Sequence, residues 1–114
     1  MRVLLALLSF VPSLLIAQDR ITPERASNYI GKTVVVEGVV AQVSYAEKSN
    51  TTFLNFCAPF PRHCFSAVIF RSAQSRFPDV RDIKGKAARV SGRVRVYRGK
   101  PEIILSRREQ LDVR

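Results

Sequence analysis

Two cysteines and the single histidine carry the most reactive chemistry in this chain: Cys57, Cys64 and, beside the second, His63. A thiol next to an imidazole is a pairing that can generate a thiolate nucleophile. Sequence neighbours on a strand point to opposite faces, however, so His63 is poorly placed to take a proton from Cys64. Two cysteines and one histidine are also too few for a closed structural zinc site. The carboxylates Asp19, Glu24, Glu37, Glu47, Asp79, Asp82, Glu102, Glu109 and Asp112 are dispersed, with no pair spaced for acid–base work. The chain therefore reads as a non-enzyme with no metal and no cofactor.

A second group of residues suits binding. Arg93, Arg95 and Tyr97 alternate along one run, and Arg98 and Lys100 follow in a Gly-Lys-Pro turn. Tyr45, Arg71, and Phe60 with Arg62 between the cysteines complete the set. A guanidinium pairs with phosphate through two hydrogen bonds and also stacks on a base. An aromatic ring offers every base a platform. The formal charge of +10 favours polyanionic partners, either nucleic acid or an acidic polymer. The plainer reading is a solvated basic surface, with Tyr97 packed on its turn and Glu102 paired with Lys100 or Arg98. Phe53, Phe56, Phe65 and Phe70 are assigned to the core.

The N-terminus adds a compartment. Arg2 precedes an almost wholly apolar stretch from Val3 to Ile16, broken by Ser9, Pro12 and Ser13, and Ala17 precedes the polar Gln18-Asp19-Arg20. That is the pattern of a cleaved secretory signal peptide over 1–17. The stretch is shorter than the ~20 residues a spanning helix needs. Residues 18–114 then form one domain, exported to the periplasm or secreted, with 18 basic and nine acidic residues. In an oxidising compartment a cysteine pair usually bridges, so a Cys57–Cys64 disulfide is expected, with free thiols as the alternative.

The remaining elements must position these groups. Thr22 as cap, Pro23 at the first turn and Gly31 at the end outline a short helix. Lys32 to Tyr45 is rich in β-branched residues and reads as one long strand, with Gly38 at its centre marking a bend. Thr52–Phe56 and Phe65–Phe70 are the second and third strands. A short helix capped by Ser72 runs to Phe77 before Pro78. Lys86 to Tyr97 is the fourth strand, with Ala88, Val90, Gly92, Val94 and Val96 on one side. Glu102–Leu105 is the fifth, and a polar tail ends the chain.

Five strands, with a short N-terminal helix and a helical insert between the third and fourth, is the layout of an all-β five-stranded OB-fold barrel. Val36-Glu37-Gly38-Val39-Val40 and the hairpin Val90 to Ile103 resemble the first strand and final hairpin of a family of small exported bacterial OB-fold proteins, described as nucleic-acid-binding-like. The resemblance runs from residue 21 to about 111. It implies a binding protein for single-stranded nucleic acid or another polyanion. The alternative is a periplasmic protein-interaction or envelope-stress module with no nucleic-acid ligand. The loop Cys57-Ala58-Pro59-Phe60-Pro61-Arg62-His63-Cys64 departs from the family pattern in its cysteines.

Overall fold

Strands alternate with short 3-10 helices in the computed structural model, which describes residues 18–114. The expected signal peptide, 1–17, lies outside the described residues. The strands are β1 Arg20–Ile21, β2 Thr33–Ala46, β3 Thr51–Phe56, β4 Phe65–Ile69, β5 Ala87–Arg93, β6 Arg95–Tyr97, β7 Lys100–Ile104 and β8 Leu111–Val113. Among the described residues no helix is long and apolar enough to cross a membrane.

β2 organises everything else. Its β-branched first half, Thr33 to Val39, pairs antiparallel with β5, and its second half, Val40 to Ala46, pairs antiparallel with β3. The register slips between Val40 and Gln42, a bulge that bends the strand from one partner to the other. Gly38 lies just before the bulge for a steric reason. A Cβ there would sit 2.5 Å from Pro23 Cγ and 3.3 Å from Phe56 Cδ2. The absent side chain lets the 3-10 helix Pro23–Tyr29 lie on β2. Gly38→Ala is accordingly expected to cost about 1–2 kcal/mol by overpacking, read as a lower denaturant midpoint at unchanged slope.

The strands are hydrogen-bonded in the order β6-β7-β4-β3-β2-β5-β8, with β1 added parallel to β2. The pairing β4–β7 is also parallel. The fold is all-β, but the expected five-stranded closed barrel is corrected. The described residues form eight strands, and the hydrogen-bonded path is open at β6 and β8. The main cause is the break in the expected fourth strand at Val94. Its side chain is buried, its N–H donates to Lys32 O at 3.0 Å, and its carbonyl accepts from Gly31 N at 2.7 Å. Beyond that tether the chain leaves β2 and runs beside β7 as β6. Val96, read on the same side of the strand as Val90 and Val94, is 50% exposed on this edge strand while those two are buried.

Buried side chains from β2, β3, β4, β5 and β7 share one core, including Val34, Val36, Leu54, Phe56, Phe65, Val90 and Ile103. The Phe56 and Phe65 rings lie 5.4 Å apart and tilted, a favourable aromatic geometry. Phe70 is 42% exposed, because β4 ends at Ile69 and Phe70 leads into the 3-10 helix Arg71–Arg76. Both expected helices occur as 3-10 turns, and neither cap forms. Thr22 makes no side-chain cap bond, and Phe70, not Ser72, precedes the second helix. The expected polar tail contains β8, held by Gln110. This buried amide accepts from the N–H groups of Ser106 and Arg107 and donates to Ser91 O and Ile104 O. It thereby bridges β5 and β7.

Candidate functional site

Period-2 alternation separates two faces of the sheet. Leu54 and Phe56 on β3, Phe65, Ala67 and Ile69 on β4, and Ile103 on β7 point into the core. The intervening positions build the opposite face. There the strand register aligns one polar row: Gln42 opposite Asn55, Asn55 opposite Ser66, Ser66 opposite Glu102, and Glu102 opposite Arg95. Hydrogen bonds run along it. Asn55 Nδ2 donates to Gln42 Oε1 at 2.8 Å, and Ser66 Oγ donates to Asn55 Oδ1 at 2.7 Å. Arg95 Nε meets Glu102 Oε2 at 3.0 Å.

Asn55, Ser66 and Glu102 of this row, with Ser44 and Phe53, floor a cleft of about 520 Å³. One wall is the loop closed by the Cys57–Cys64 disulfide, through Phe60, Pro61 and His63. The other is the β6–β7 hairpin, through Tyr97, Arg98 and Lys100. Lys100 ties the walls together, its Nζ donating to Pro61 O at 2.7 Å and to His63 O at 2.6 Å. The floor holds the loop as well, since Gln42 Oε1 accepts from Phe60 N at 2.9 Å.

Burial raises the pKa of Glu102, and the attraction and hydrogen bond of Arg95 pull against that rise. Burial, then the Lys100 ammonium, lowers the pKa of His63, which leaves its imidazole neutral at pH 7. His63 Nδ1 is buried without a hydrogen-bond partner. Its ring stacks on Phe60 with centroids 5.6 Å apart. Phe60 is 68% exposed and Tyr97 48%, and the Arg98 guanidinium lies 5.3 Å from the Tyr97 ring centroid. The cleft therefore offers two accessible rings, a hydrogen-bonding floor and a cation at its mouth.

Of the residues singled out from sequence, Phe60, Tyr97, Arg98 and Lys100 line this cleft, and Arg95 reaches it through Glu102. Arg62 is exposed on the same loop but outside the lining. Tyr45 does not join them. It follows the cleft-lining Ser44 and so faces the other way, its hydroxyl donating to Asn50 Oδ1 and its ring 4.2 Å beneath the Arg81 guanidinium. Arg71 opens a 3-10 helix and Arg93 ends β5, both exposed and both away from the cleft. Sequence reasoning missed Ser44, Asn55 and Ser66, weighed His63 only as a base beside Cys64, and assigned Phe53 to the core. The available signal was polar residues at alternate positions of otherwise apolar strands.

No family model and no curated protein matches this chain. Solved structures do. An aspartyl-tRNA synthetase assigned in Leishmania major Friedlin superposes with a TM-score of 0.59 at 12% identity, covering 91% of this chain. The chain spans only 22% of that protein's length. An OBody, AM1L10, solved bound to hen egg-white lysozyme, superposes with a TM-score of 0.62 at 18% identity, covering 90% of this chain and 98% of the OBody. At these identities the likeness is one of fold.

Proposed function

We propose that this chain is an exported OB-type binding module that takes single-stranded nucleic acid across the cleft. The observation that carries the reading is Phe60 and Tyr97, exposed on opposite walls above a polar floor, with Arg98 at the mouth. Single-strand binders combine such stacking platforms with cations that follow the phosphates. The OB-type reading is supported by a long strand paired along both halves, the parallel β4–β7 pair and the helical insert between β4 and β5. The synthetase neighbour, an enzyme named for a nucleic-acid substrate, is consistent with it. The disulfide accords with export to an oxidising compartment.

Among the described residues the cations near the cleft are Arg98, Arg62, Arg95 and Lys100. Lys100 is engaged with Pro61 O and His63 O and Arg95 with Glu102, so the salt dependence is expected to be modest. Fluorescence anisotropy with labelled oligonucleotides should give micromolar or tighter binding at low salt. The slope of log K against log salt should be about −1.4 to −2.1, for two to three phosphate contacts. No binding at micromolar protein overturns the reading.

A second reading has its own observation. Phe60 and Tyr97 leave exposed rings at the cleft edge, and the OBody neighbour is seen holding a protein, lysozyme. Envelope partners retained through nuclease and high salt would favour this reading over the first.

A further inference from the structure

We infer that the cleft floor receives a base rather than a phosphate, and that Glu102 selects bases bearing an amino group. The inference rests on the nucleic-acid reading above. Glu102 is 5% exposed, and its carboxylate lines the cleft. Arg95 occupies Oε2, while Oε1 has no protein partner among the described residues. An ionised carboxylate only accepts hydrogen bonds and repels a phosphate brought against it.

The neighbouring floor groups sharpen the requirement. Asn55 commits one of its two amide N–H groups to Gln42, and Ser66 commits its hydroxyl proton to Asn55. Gln42 Oε1 already accepts twice, from Asn55 and from the Phe60 N–H. Among the described residues Glu102 Oε1 is the charged acceptor of the row with no protein partner, and it calls for a donor from the ligand. A cleft of about 520 Å³ has room for a base between its walls. Cytosine and adenine present exocyclic amino groups that can donate to a carboxylate. Thymine has no amino group; its one ring donor, N3–H, is flanked by two carbonyl oxygens, so a carboxylate that approaches it meets their lone pairs. Phosphates then lie outside the floor, toward Arg98 and Arg62.

The test compares labelled oligo-dC, oligo-dA and oligo-dT of equal length at one low salt concentration. Wild-type protein is expected to bind dC and dA about tenfold tighter than dT, the scale of one charge-assisted hydrogen bond. Glu102→Gln supplies an amide donor in place of half the carboxylate, so the dC:dT ratio should fall toward one, with dT affinity rising. Arg98→Ala should weaken all three alike and leave the ratio unchanged. Near-equal wild-type affinities for the three oligomers overturn the selection by Glu102 while leaving the binding reading intact. Absence of binding to all three overturns the binding reading and the selection with it. Because the wild-type ranking decides the matter alone, a Glu102→Gln protein that fails to fold does not shelter the proposal.

Discussion

Replacing Phe60 and Tyr97 together by alanine is expected to weaken oligonucleotide binding at least about thirtyfold. Each stacked base is worth about 1–3 kcal/mol by alanine substitution. The two rings stand on opposite walls, so their losses should add to a first approximation. Neither ring carries charge, so the salt slope of the remaining binding should not change. That separates loss of stacking from loss of the cationic rim. Both side chains are largely solvent-exposed, and thermal unfolding should be little altered. Anisotropy titrations that find the double variant within threefold of wild type would remove the cleft from the binding surface. Arg71→Ala and Arg93→Ala make the matched comparison. Both sit away from the cleft, and each should have a small effect that added salt erases.

Removing the disulfide should produce the largest loss of stability. The Cys57–Cys64 bridge spans a sequence separation of seven with Cα atoms 5.6 Å apart. Chain-entropy reasoning for so short a loop gives about 2–3 kcal/mol. Cys57→Ser with Cys64→Ser should lower the urea midpoint accordingly. Binding should fall as well, because the bridged loop forms the wall that presents Phe60. The loop keeps its ties to Lys100 and Gln42, so the folded double variant should still bind, more weakly than wild type. A denaturation midpoint indistinguishable from wild type would contradict this account.

The sequence exposed the core strands better than the cleft. Phe56 and Phe65, assigned to the core as large apolar residues in short β-rich runs, are buried there. Of Phe53 and Phe70, given the same assignment, the first lines the cleft and the second lies exposed. The polar row was illegible. Asn55, Ser66 and Glu102 look unrelated along the chain and align only through two registers, one of them the parallel β4–β7 pair. The break at Val94 depends on hydrogen bonds to Gly31 and Lys32, some sixty residues earlier, which local pattern does not encode. Reading the arginines as one basic face failed on the same point. Arg93 and Arg95 share a face only if the strand is continuous, and the break separates them: Arg93 remains beside β2 while Arg95 turns to Glu102. The cysteines were legible because their pairing is local in sequence.

Beyond its disulfide, the loop that carries Phe60 is secured through its main chain. Lys100 grips the carbonyls of Pro61 and His63, Gln42 takes the Phe60 N–H, and Cys64 N–H donates to Phe56 O. None of these ties reads the side chain at position 60 or 62. Substitution there should change what the wall recognises without dismantling the wall. The molecule thus separates its frame from its vocabulary, and a library randomised at Phe60, Arg62, Tyr97 and Arg98 should yield folded proteins with new ligands.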